Sequence, residues 1–165
     1  MNVFWFVSAP LYGHLDWGGL LPTALHLQDL GNQVCWVSEP SIQPALQGLP
    51  LLAISQSGWL WPPPPAPDVR QMAPTQAVML RYTRALDTWL TEDLVAQGVE
   101  NLLRLAAEQG KPDMIVTDPF LSAAALAAEA LEVPLVVGGW PALSDLQADH
   151  LYPVQQALAE DARAR

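Results

Sequence analysis

From residue 2 to residue 8 the chain is almost continuously apolar, with Val3-Phe4-Trp5-Phe6-Val7 at its centre. No polar residue alternates with these side chains, which is the pattern of a strand covered on both faces. A glycine-bearing loop over residues 13–19 follows, and then the spacing lengthens to a helical one over residues 20–30. Leu21, Ala24, Leu25 and Gln28 fall on one side of that helix, and Gly31 stands where a helix-closing residue belongs. Residues 33–38 read as the next strand, so the first third of the chain is a βαβ unit with a right-handed crossover. A short helix over residues 42–46 and a strand over residues 50–54 come next.

Between residues 55 and 74 no period survives. Trp59, Trp61 and the run Pro62-Pro63-Pro64-Pro65 mark an extended, polyproline-like loop. A stretch of that length without regular structure is expected to be functional or mobile. Helical patterns return over residues 75–90 and 91–109, punctuated by Gly110-Lys111-Pro112. A strand over residues 113–117, a helix over 119–131 built largely of alanine and a strand over 134–137 complete the series, ending at Gly138-Gly139-Trp140-Pro141. Residues 142–165 read as a helical tail that grows polar toward its end. Strands alternating with helices in this way predict one α/β domain with a mostly parallel, Rossmann-like sheet, residues 1–165 forming a single unit.

Two strands of this series end at groups that handle protons. The first runs out through Ser8-Ala9-Pro10-Leu11-Tyr12-Gly13-His14, and the fourth delivers Asp118 and Pro119. Ligands of open parallel sheets bind beyond the carboxyl ends of the strands, where these two residues would meet if their strands are neighbours. A histidine there can take a proton from an alcohol near neutral pH, and an aspartate beside it can hold one tautomer. The plainer alternative is that His14 is a loop residue and Asp118 caps the helix after it, with Pro119 in the first turn. The two roles are compatible, because a cap needs only one carboxylate oxygen.

Composition narrows the partners. A net charge of −10, with seven basic residues in all and Lys111 the sole lysine, argues against nucleic acid and against an anionic membrane surface. It also leaves any phosphate-rich ligand to backbone N–H groups or to another domain. Charged residues are only 15% of the chain against 51% hydrophobic, which suggests an apolar patch that something else covers. Cys35 is the single cysteine and sits in a strand pattern, so neither an internal disulfide nor a thiolate metal site is expected. The apolar start lacks a basic region and a cleavage motif, and the simplest location is the cytoplasm.

Gly13, Gly18 and Gly19 do not carry the spacing of a dinucleotide fingerprint, and only Glu39 could serve as a ribose-binding acid. His26 reads as a helix-surface residue. His150, near Asp145 and Asp149, belongs to a solvated polar face, and no metal is predicted. Of the seven tryptophans, Trp5 and Trp36 lie in strands and Trp89 on an amphipathic helix. Trp17, Trp59, Trp61 and Trp140 lie in loops, where their rings could stack on a sugar or a flat apolar molecule, or plug an interface.

Read together and in order, these residues resemble the amino-terminal half of GT-B glycosyltransferases, especially the inverting UDP-sugar-dependent enzymes of macrolide and plant natural-product type. The resemblance rests on the opening strand with Gly13-His14, on Pro22, on Leu30-Gly31-Asn32-Gln33-Val34, on residues 112–119 (Pro-Asp-Met-Ile-Val-Thr-Asp-Pro) and on Val133-Pro134-Leu135-Val136-Val137. It extends from Asn2 to about Pro141. It implies a three-layer Rossmann-like fold with strand order 3-2-1-4-5, His14 as the base that deprotonates an acceptor hydroxyl, and Asp118 as its partner. Gly13, Asp16, Trp17, Trp59, Trp61 and Trp140 would then line the acceptor side.

Two departures from the family pattern stand out. Leu15 to Leu21 separate His14 from Pro22, a longer interval than the family has, so Asp16 could share or replace the histidine's role. The chain also stops where a linker to a donor-binding domain is expected. The resemblance therefore implies an acceptor-binding half that is inactive without its donor-binding half, whether that is a carboxy-terminal domain or a separate chain. It implies no cofactor beyond the nucleotide-sugar donor of the full enzyme, and its acceptor would be a small or lipid-like molecule. Self-association into a homo-oligomer is left open. Two other readings stand beside it: a stand-alone small-ligand module on a Rossmann-like scaffold, and a protein-interaction domain that buries its tryptophans against a partner.

Overall fold

A computed structural model describes residues 2–16, 19–60, 62–63 and 65–139. Trp17, Trp61, Trp140 and the tail expected to be helical lie outside the described residues. The sheet has five strands, all parallel, in the order β3-β2-β1-β4-β5, the order that the family resemblance implies. They are β1 (Val3–Val7), β2 (Gln33–Ser38), β3 (Leu51–Ala53), β4 (Met114–Thr117) and β5 (Leu135–Val137). Helices α1 (Tyr12–Asp16), α2 (Leu20–Asp29), α3 (Pro74–Trp89), α4 (Glu92–Gln109) and α5 (Ser122–Leu131) and a 3-10 helix at Pro40–Ala45 connect them.

The unbroken apolar strands are explained by what lies on each side. Alternate residues point to opposite faces of a sheet. Trp5 and Val7 of β1 join Cys35, Val37 and Ile115 in one core, which α4 and α5 cover. Phe6 joins Val34, Trp36 and Val116 in the other, which α2 and the 3-10 helix cover. The alanine face of α5 (Ala123, Ala124, Ala127, Ala128) is buried, small side chains letting the helix settle closely on the sheet.

The α2 terminus forms as its glycine predicts. Gly31, at φ +85°, donates its N–H to the Gln28 carbonyl, and the Asn32 N–H reaches the Leu27 carbonyl. These two bonds satisfy carbonyls that the helix end leaves open.

Three expectations require correction. The stretch over 13–19 is not all loop, because residues Tyr12–Asp16 wind into a short helix, with the His14 N–H bonded to the Leu11 carbonyl. Gln28 faces solvent: the buried side of α2 is Leu20, Leu21 and Ala24. The alanine helix starts at Ser122 rather than at Pro119, so Asp118 does not cap it. Its carboxylate closes a tight turn ahead of the helix instead, Oδ1 accepting the Phe120 N–H at 2.8 Å.

Candidate functional site

The site is assembled at the carboxyl rim of the sheet by register. Val7, the last residue of β1, pairs with Thr117, the last of β4, so the segments leaving both strands start level. Thr117 Oγ1 donates to the Val7 carbonyl at 2.8 Å, tying the two ends together. On the other side of β1, the Ser8 N–H bonds to the Val37 carbonyl, and the indole N–H of Trp36 donates to Ser8 Oγ at 2.9 Å. Anchored on both flanks, the β1–α1 segment carries His14 back over the rim.

There His14 Nδ1 meets Asp118 Oδ2 at 2.7 Å, across 104 residues of sequence, with side-chain exposures of 5% and 5%. A carboxylate only accepts, so Nδ1 carries the proton and, in the neutral ring, the lone pair falls on Nε2. The two oxygens of Asp118 thus divide the work: Oδ1 shapes the turn to Phe120, and Oδ2 orients the imidazole. Such a charge-assisted bond in a low-dielectric setting is stronger than one in water.

Aromatic rings enclose the pair. The Trp59 ring meets the imidazole nearly edge-on, at a centroid separation of 5.4 Å and an angle of 76°. Phe120 lies 5.5 Å away on a tilted approach. Trp89, at the end of α3, packs on both, 6.1 Å from Trp59 and 4.8 Å from Phe120. These separations lie within the range of favourable aromatic pairs.

Trp59 reaches this place because the segment before it is pinned. Glu39, just beyond β2, accepts bonds from the Ser57 N–H and hydroxyl. Gln56 Oε1 receives the N–H groups of Gly58 and Trp59, while Asn101 on α4 donates to the Gln56 carbonyl. The backbone of Ser57 and Gly58 lies directly on α4 at Gly98, where a Cβ would stand 2.7 Å from both the Ser57 oxygen and the Gly58 nitrogen.

Of the residues singled out from sequence, the structure brings together His14, Asp118 and Trp59. Gly13 precedes the histidine on α1, half-buried, and Asp16 ends that helix exposed to solvent. His26 is exposed on α2, as expected. Glu39 serves the loop rather than standing open beyond β2. Sequence reasoning missed Phe120 and the pinning set Gln56, Gly98 and Asn101. A glycine inside the amphipathic pattern of α4 was the available signal for a close backbone approach.

No protein-family model matches the chain, and no curated protein matches it. Among solved structures, the glycosyltransferase of kitacinnamycin superposes with a TM-score of 0.62 at 20% identity, covering 98% of this chain and 36% of that one. The calicheamicin glycosyltransferase CalG4 gives 0.57 at 14% identity, covering 98% and 43%. The spinosyn rhamnosyltransferase SpnG gives 0.57 at 24% identity, covering 83% and 34%. The chain therefore has the fold of one part of these glycosyltransferase chains and spans less than half the length of each.

Proposed function

We propose that this chain is the acceptor-binding half of an inverting glycosyltransferase, which moves a sugar from a nucleotide-sugar donor, UDP in the resemblance, to an acceptor hydroxyl. The observation that carries this reading is the buried His14–Asp118 pair at the carboxyl rim of a sheet shared with glycosyltransferases. Nε2 takes the hydroxyl proton of the acceptor as its oxygen attacks the anomeric carbon. The bond from that carbon to the diphosphate breaks, and the nucleoside diphosphate leaves with the electron pair, inverting the centre. Asp118 holds the tautomer and stabilises the imidazolium that results, so it acts through His14. The imidazole is almost fully enclosed, and the reading requires its aromatic cover to part when acceptor enters.

A donor-binding half, on the same polypeptide or a second one, would hold the nucleotide. Gly13, Asp16 and Trp59, with Trp17, Trp61 and Trp140, are the acceptor-side candidates. The test is sugar transfer by the chain assembled with a donor-binding half. His14→Gln is expected to lower kcat by about 10²–10⁴-fold, and Asp118→Asn to lower it by at least about 10²-fold with KM for the acceptor little changed. Full activity in His14→Gln would overturn the assignment.

A further inference from the structure

A groove separate from the imidazole opens where the end of α3, the first half of α4 and the start of α5 converge. Its volume is about 930 Å³, within the size range of small-molecule sites. Leu90, Val95, Ala96, Val99 and Leu126 supply its apolar surface. Leu126 is 48% exposed although it lies on a helix whose other face is packed into the core. Among the described residues that line the groove, the charged side chains are all acidic: Asp87, Glu92 and Glu100. Glu92 and Glu100 are exposed on α4, two turns apart and flanking the apolar strip of Val95, Ala96 and Val99.

Two sequence neighbours tie this groove to the dyad. Leu90 follows Trp89 and Ser122 lies two residues beyond Phe120, and those two aromatics pack on each other at 4.8 Å while Phe120 touches the imidazole. The groove therefore borders the chain segments that carry the aromatic cover of His14.

We propose that the groove seats the apolar body of the acceptor and selects acceptors that carry an amino group, the ammonium being drawn to the acidic rim at Glu92 or at Glu100. This rests on the acceptor-binding reading of the chain for its biological meaning, but not for its physical content. An apolar anion of the same shape would meet the like charge of Asp87, Glu92 and Glu100 and be disfavoured. The charge preference is set by exposed carboxylates, so it is modest and fades with salt.

Adamantylmethylamine and adamantane carboxylate, the same hydrocarbon cage with opposite charges, are suitable probes, titrated calorimetrically into the full chain at low and high salt. The amine is expected to bind at least about threefold more tightly than the carboxylate at low salt, with its amide shift changes centred on Val95, Ala96 and Val99. Glu92→Gln with Glu100→Gln is expected to bring the two affinities within about twofold, leaving the rest of the amide spectrum in place. Leu126→Arg should weaken the amine by occupying and charging the groove. Equal binding of the two probes, or shifts centred elsewhere, would overturn the proposal. So would a concentration-dependent dimer that Leu126→Arg abolishes, since the groove would then belong to a second copy. The His14→Gln chain should bind the amine as the unaltered chain does, so failure of the base assignment and failure of the groove read out separately.

Discussion

At the scale of single residues, burial decides chemistry more than identity does. His14 and His26 are both helix residues, yet His26 faces water while His14 is enclosed and bonded to Asp118. The same rule governs Cys35. Burial pushes its thiol above the ordinary value of 9.0, and a weaker opposing effect comes from the Gln33 side chain. Only the thiolate is nucleophilic, so at pH 8 the folded chain should react with iodoacetamide far more slowly than the urea-unfolded chain. The linkage has a definite sign. A thiol whose folded pKa is raised contributes its full share of stability below about pH 9.0 and loses it as pH climbs through the folded value. A labelling rate in the native protein equal to that in urea would contradict this.

At the scale of elements, the contact of the 55–60 segment with α4 is what delivers Trp59 to the imidazole. Gly98 permits that contact, and the cost of filling it can be weighed. Alanine favours a helix over glycine by about 1 kcal/mol. Against this stands a Cβ placed 2.7 Å from two backbone atoms that no side-chain rotation can move aside. Overpacking of this kind costs about 1–3 kcal/mol. Gly98→Ala is therefore expected to destabilise the chain by up to about 2 kcal/mol, read from the urea midpoint. It should also displace Trp59, read as a change in tryptophan emission and in the ring-current shifts of the His14 protons. A stabilised variant with an unchanged His14 spectrum would show that the segment does not depend on this contact.

At the scale of the molecule, an acidic half-length chain resembles in fold only part of each glycosyltransferase it superposes on, at less than half of their length. Under the proposed function, the scarcity of basic side chains fits a half that leaves the diphosphate to another domain. The 165-residue chain alone is accordingly expected to transfer no sugar from a nucleotide sugar, and to gain that activity when a donor-binding half is supplied. Turnover by the isolated chain, removed by His14→Gln, would show that it needs no second half. Among the described residues no helix is long and apolar enough to cross a membrane.

Much of this was legible in the chain before any fold was drawn. Apolar runs without alternation, glycine after α2 and alanine throughout α5 determined an α/β domain with buried central strands, because such patterns record which faces must avoid water, although the apolar edge strand β5 is exposed. The same reading named His14 and Asp118, since Asp118 follows β4 directly and His14 lies on the segment that leaves β1. Their meeting was not legible in that way. It depends on β1 lying beside β4 in one register and on a tight turn at Asp118 where helix propensity pointed to a cap. Nor could local pattern reveal that Phe120 and Trp89 would wall the imidazole, or that an acid-rimmed groove would open between α4 and α5. Periodicity reports whether a side chain is covered; only the long-range packing of elements decides what covers it.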